Sequence, residues 1–145
     1  MRAVVMNGVG DVDMLEYVER NDPVPGPDEV LVGIAVAGVN FMDIGVRQGM
    51  AWTNMPNPKI IGVEGAGRVL ALGEGVSDLE VGQRVAWAYA PGSYAEKVVL
   101  PAAALAVKRQ EVVSRRGKSG HRRNAADGAM GTMPVVVVLP TRQGF

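Results

Sequence analysis

Four side chains set close together in this sequence are equipped for chemistry. Asn40, Asp43 and Arg47 stand in GVNFMDIGVRQG, and Glu64 stands in IIGVEGAG. A carboxamide such as Asn40 both donates and accepts, so it can orient another amide or a carbonyl. Asp43 and Arg47 lie four residues apart, a spacing that places them on one helical face within reach of an ion pair. Asn40 suits the N-cap of that helix, and Gly49 suits its end. A chemistry-free reading, a capped helix with a surface ion pair, stands beside the functional one.

The elements that must carry these residues read as mainly β. Short strands are predicted at Val4–Met6 and Met14–Arg20, with Asn7–Asp11 as a turn between them. Pro23, Pro25 and Pro27 make a rigid connection. Glu29–Val39 is rich in β-branched residues and gives the strongest strand signal. A short helix over Phe41–Gln48 comes next, then a loop marked by Pro56 and Pro58. Ile60–Leu72, Gly82–Ala88, Ser93–Leu100 and Ala106–Lys108 complete the strand series. Many short strands separated by turn signals predict a small barrel or sandwich.

The chain has 145 residues, no cysteine and a formal net charge of +0. Neutral bulk charge argues against nucleic acid as a partner. The lack of cysteine excludes disulfides and thiolate metal sites and fits a reducing compartment. No apolar run reaches spanning length and the N-terminus is not a signal peptide, so a cytoplasmic protein without a membrane partner is expected. The neutral total conceals a split. Residues 1–108 hold 8 basic and 13 acidic side chains, net −5, whereas residues 109–145 hold 7 and 2, net +5. Arg109–Asp127 lacks apolar periodicity, so residues 109–145 are expected to form a basic, irregular or disordered tail. Val135–Leu139 within it is β-prone but has no evident partner.

The cluster Gly62-Val63-Glu64-Gly65-Ala66-Gly67 invites a nucleotide reading. Its spacing is G-x-x-G-x-G, and the adjoining Arg68–Leu72 is strand-like rather than helical. A dinucleotide fingerprint needs strand, glycines and then a helix N-terminus, so a bulged strand is the better reading. His121 is the single histidine and lies in the basic tail, which leaves neither a zinc set nor a Ser-His-Asp triad.

The motifs taken together carry a resemblance. GVNFMDIGVRQG resembles the Asn-Phe-(Ile/Met)-Asp-x-x-x-Arg-x-Gly segment of the zinc-free, zeta-crystallin-like quinone oxidoreductases, a branch of the medium-chain dehydrogenase/reductase superfamily. GPDEVLVGIAVAGVN resembles the strand leading in. IIGVEGAGRVLALGEGVSDLEVGQRVAW resembles the family's Gly-x-Glu-x-x-Gly-x-Val segment and its Gly-Asp-Arg-Val strand, with Gln83 in place of the Asp. GSYAEKVVLPAAALAVK resembles the exit from the barrel. The resemblance covers residues 1–108 and implies a GroES-like, partly open β-barrel, the N-terminal catalytic domain of the alcohol dehydrogenase type.

It also implies a chemistry. Zinc-dependent relatives place a cysteine ligand at the position of Asn40 and a histidine ligand at that of Val63, so a metal-independent hydride transfer from NADPH to a quinone or activated enone is expected, with no zinc. Asn40 is expected to act beside the nicotinamide, as a catalytic and cofactor-binding residue. Asp43 is expected to organise the catalytic cleft with Glu64. Arg47 is expected to brace Asp43 or to face the cofactor, and Phe41, Trp52 and Glu64 to line the substrate cleft. Gly45 and Trp52 stand where many relatives have tyrosines. The family's Rossmann cofactor domain has no counterpart in residues 109–145. The implied product is therefore a truncated or out-of-frame chain, inactive alone, with homo-oligomers expected only of a full-length form. The competing readings are a non-enzymatic barrel that binds a partner and a relative that reduces enoyl thioesters.

Overall fold

The computed structural model describes residues 1–107 and the backbone of residues 135–137. Two sheets hold nearly all of it. The smaller has the order β2-β1-β4, from β1 (Arg2–Met6), β2 (Leu15–Glu19) and β4 (Lys59–Ile60). The larger runs β7-β3-β5-β6-β8, from β3 (Glu29–Val39), β5 (Glu64–Leu72), β6 (Arg84–Trp87), β7 (Lys97–Pro101) and β8 (Ala106–Val107). The helix α1 (Phe41–Arg47) sits between β3 and β4 in the chain. An antiparallel bridge between Ala3 and Ala95 links the sheets. The Val4 amide also donates to the Tyr94 carbonyl at 2.8 Å. The result is mainly β, as the strand signals predict, and has the partly open barrel that the resemblance implies.

Strand β3 alternates as a half-buried strand should: Val30, Val32 and Ile34 are at most 1% exposed. They pack with Ala3, Val69, Val85, Trp87, Ala95, Val98 and Leu100 into the main core. Each such Val or Ile contributes about 1.5–3 kcal/mol of apolar burial. The β3–β5 register shifts between Leu31 and Val32 and again between Ile34 and Val36. The second shift brings Ala37 rather than Val36 inward, which re-aims the strand end that delivers Asn40. Gly65 and Gly67 lie within β5, opposite the bulged stretch of β3. The glycine cluster is thus part turn and part strand: Gly62 and Val63 precede β5, Glu64–Gly67 begin it, and the bulge beside them places the extra residue, Ala35, in β3.

Several boundaries differ from expectation. Ile60–Leu72 is two strands in two sheets, because Gly62 at φ +88° swings the chain from β4 across to β5. Met14 belongs to a 3-10 turn (Val12–Met14) ahead of β2. Of the strand predicted at Ser93–Leu100 only the part from Lys97 is regular, as β7, since Ser93 and Tyr94 are engaged with the Gly62 turn. Val135–Val137 forms a strand, β9, antiparallel to Ala37–Val39. A partner therefore exists where none was evident, because β7 reaches only Glu29–Gly33 and leaves the far end of β3 open for pairing. The rest of the expected basic tail lies outside the described residues.

Candidate active site

Strand β3 ends at Val39 and hands Asn40 directly to α1, which opens with a capping box between Asn40 and Asp43. Asp43 Oδ2 accepts the Asn40 backbone N–H at 2.7 Å. The Asn40 side chain reaches the other way, and its Nδ2 donates to Glu64 Oε2 at 3.1 Å. Glu64 is the first residue of β5 and lies opposite Gly38. A Cβ on Gly38 would strike the Glu64 side chain, so the glycine gives that carboxylate room to lie across β3 toward Asn40.

Asn40 and Glu64 line a cleft of about 410 Å³ with Phe41, Met42, Val63, Ala88 and Tyr89. Phe41 is 80% exposed and Tyr89 75% exposed, so two aromatic rings flank a polar amide with their faces uncovered. Tyr89 holds φ +60°, a conformation that an L residue adopts at a cost and that often marks sites. A second, more open depression of about 490 Å³, walled by small residues, shares Glu64 and Ala88 with this cleft.

Asp43 lies behind the cleft, 6% exposed. Its Oδ2 also accepts from the Tyr94 hydroxyl at 2.8 Å, while its buried Oδ1 has no partner among the described residues. Burial, and next the bond to the Asp43 carboxylate, push the Tyr94 hydroxyl well above the ordinary tyrosine range. Neutral Tyr94 is thus a fixed donor at any ordinary pH.

The structure therefore brings together Asn40, Phe41 and Glu64, with Asp43 supporting them. It separates the other two expected residues. Arg47 does not brace Asp43; its guanidinium donates to the Gly10 carbonyl at 2.7 Å and to Asp11 Oδ1 at 2.9 Å. Four-residue spacing permits the helical pair, but the Asp43 oxygens face into the protein and Arg47 faces the loop before β2. Trp52 does not line the cleft. It packs against the cluster of Met6, Val46 and Ile61 that seats α1, and its carbonyl accepts from the buried Lys59 ammonium at 3.0 Å. Tyr89 and Tyr94 escaped sequence reasoning. Tyr94 stands in the GSYAE segment that carries part of the resemblance, but only the fold shows that it reaches Asp43. Among the described residues no group of three or more His, Cys, Asp or Glu is placed to hold a metal ion.

A bulged, partly open β-barrel with Asn40 at the cap of its helix defines the class: a GroES-like domain of the medium-chain dehydrogenase/reductase type. The family model for the alcohol dehydrogenase GroES-like domain matches residues 26–143, past residue 108 where the motif resemblance ends. The chain belongs to that family. It is 39% identical over 105 residues to the synaptic vesicle membrane protein VAT-1 homolog of Rattus norvegicus, covering 71% of this chain and 26% of the relative. It is 41% identical over 92 residues to a quinone oxidoreductase of Pseudomonas aeruginosa, covering 63% and 28%. The structure of Escherichia coli quinone oxidoreductase complexed with NADPH superposes with a TM-score of 0.69 at 28% identity, covering 77% of this chain and 34% of that one. The chain thus spans about a quarter of the length of the curated relatives it matches. No described helix is long and apolar enough to cross a membrane.

Proposed function

We propose that the Asn40–Glu64 cleft is the acceptor half of an NADPH-dependent reductase site that delivers hydride to a quinone or activated enone. The observation that carries the reading is the pairing of a positioned carboxamide with two uncovered aromatic rings in one cleft. A planar, electron-poor ring stacks on Phe41 and Tyr89, and its carbonyl meets the Asn40 amide at the rim. The similarity to quinone oxidoreductases supports the same acceptor class.

The residues present fit NADPH only at its nicotinamide end. The cleft suits one ring, the acceptor's; the nicotinamide would lie beside it, its carboxamide donating to Asn40 Oδ1 while the second Nδ2 hydrogen of Asn40 meets the acceptor carbonyl. Among the described residues no glycine-rich turn leads from a strand into a helix, so the cofactor's phosphates would be held by residues outside the described part. NADPH supplies the hydride when bound. This chain's residues align the acceptor, exclude water with Phe41, Met42 and Val63, and hold Asn40 by its backbone through Asp43 and by its carboxamide through Glu64. Transfer to a quinone needs only that alignment, since the acceptor is already electron-poor; this supports a metal-independent step. In this reading the chain alone is inactive, and it forms one domain of a two-domain enzyme whose homo-oligomers belong to the longer form.

The test joins residues 1–107 to the remaining part of the Pseudomonas aeruginosa quinone oxidoreductase and tracks NADPH oxidation with a quinone. The expected result is turnover that falls at least about tenfold, roughly 1.4 kcal/mol of transition-state stabilisation, in Asn40→Ala. Full turnover in that variant would remove Asn40 from the site and the reading with it. A panel of enoyl thioesters on the same chimera decides between that acceptor and a quinone.

A further inference from the structure

Tyr94 is anchored through both its backbone N–H and its carbonyl. Its carbonyl accepts the Val4 N–H at 2.8 Å in β1, and its own N–H donates to the Ile61 carbonyl at 2.9 Å after β4. Its ring packs on the Met6, Val46 and Ile61 cluster under α1. Gly62 makes this possible. A Cβ there would fall 2.5 Å from the Tyr94 ring and against the Ser93 hydroxyl. The hydroxyl end of this anchored ring is aimed at one atom, Asp43 Oδ2. That oxygen also holds the backbone of Asn40. Among the described residues Asp43 Oδ1 has no bond to hold the carboxylate from its other side. The orientation of the carboxylate, and through it the start of α1, is thus set by Oδ2 and its two donors.

We propose that Tyr94 is a positioning residue for Asn40: it fixes Asp43, Asp43 fixes the Asn40 amide, and the Asn40 carboxamide is thereby held over the cleft. The chain of contacts is short and directional. It joins the small sheet, where Tyr94 is pinned, to the helix mouth, where ligand is met. Hydrogen bonds that share one charged acceptor are coupled, so loss of one donor lets the carboxylate turn and changes the other bond. Tyr94 touches neither acceptor nor cofactor in this arrangement, and its effect passes entirely through Asp43. The inference rests on Asn40 as the polar group of the proposed site.

The experiment is a heteronuclear NMR comparison of the full chain with Tyr94→Phe, Asp43→Asn and the double variant. Tyr94→Phe keeps the ring and removes only the hydroxyl. The expected result is a shift of the Asn40 backbone amide and of its side-chain amide pair in Tyr94→Phe, with the Met6, Val46 and Ile61 methyl signals in place. The double variant is expected to move the Asn40 signals no further than Asp43→Asn alone. Asn40 signals that superimpose on wild type, or shifts in the double variant that equal the sum of the two singles, would overturn the proposal. Incorporation of 3-fluorotyrosine in a Tyr17→Phe, Tyr89→Phe background, where Tyr94 is the one tyrosine left, gives a second measurement that keeps the Tyr94 hydroxyl and fold. The more acidic hydroxyl is expected to shift the Asn40 amide, and an unmoved amide overturns the proposal again. No cofactor enters these measurements. Their failure therefore leaves the reductase reading standing, and failure of the chimera leaves the positioning result standing.

Discussion

The Tyr94 hydroxyl and Asp43 Oδ2, which belong to residues 51 apart in the chain, meet at 2.8 Å behind the cleft. This bond joins the connection between β6 and β7, which carries Tyr94, to the helix that presents Asn40. It also has a stability consequence with a definite sign. The hydroxyl of Tyr94 titrates above its ordinary value near 10 in the folded chain, so folding favours the protonated form. The contribution is complete below pH 10 and is lost as pH rises from there through the folded value. Denaturant unfolding at pH 8 and pH 11 is expected to show a loss that Tyr94→Phe reduces, and Tyr94→Phe itself costs about 1–2 kcal/mol at pH 8. An identical alkaline loss in the variant would assign the effect to other groups.

Gly38→Ala is expected to separate the site from the fold. The three atoms nearest the new methyl all belong to the side chain of Glu64, which is partly exposed and can turn away. Stability is expected to change by no more than about 1 kcal/mol, while the Asn40 side-chain amide signal shifts as its bond to Glu64 is lost. A Glu64→Gln variant, which keeps an acceptor oxygen, is expected to retain most of the wild-type signal position.

The acid limb of stability is expected to run through Glu96. The Arg2 backbone N–H first, and then its guanidinium, hold the Glu96 carboxyl below the usual carboxylate range. Asp22 is held low in the same way, by the Lys97 ammonium and the N-terminal amine. A lowered carboxylate value means stability present above the unfolded value and lost as pH falls through the folded one. Thermal unfolding between pH 6 and pH 3 is expected to show a steeper fall in wild type than in Glu96→Gln. Equal slopes would place the acid sensitivity elsewhere.

Ile34→Ala tests the core that holds β3 in register. Ile34 is 1% exposed beside the bulge that aims Asn40. Its truncation is expected to cost about 2–5 kcal/mol, measured by denaturant unfolding.

Much of this architecture was legible in the sequence because its signals are local. The β-branched run of Glu29–Val39, the proline stretch Pro23–Pro27 and the Asn40 cap each describe their own residues. The site was legible only in part. Asn40, Phe41 and Glu64 meet because β3 and β5 pair in a register that Gly38 permits, and the resemblance carried that information in compressed form. Arg47 was misdirected because helical spacing says which residues share a face, not which way that face turns; its partner Asp11 comes from another loop. Trp52 went to the apolar cluster under α1, with the Lys59 ammonium holding its carbonyl. Tyr94 and Tyr89 are placed by long-range contacts and by a positive φ, for which no local pattern exists. The split of Ile60–Leu72 into two strands was signalled by Gly62, but the crossing between sheets becomes visible only with both sheets in place.

Whether the Asn40–Glu64 cleft receives a planar carbonyl acceptor is decided by titrating the full chain with a soluble quinone and mapping amide and side-chain shifts. Saturable shifts are expected at Asn40, Phe41, Glu64 and Tyr89, weakened in Asn40→Ala, with Trp52 and Arg47 little affected. Saturable shifts centred elsewhere, or no shift up to the solubility limit of the quinone, would contradict the proposed site.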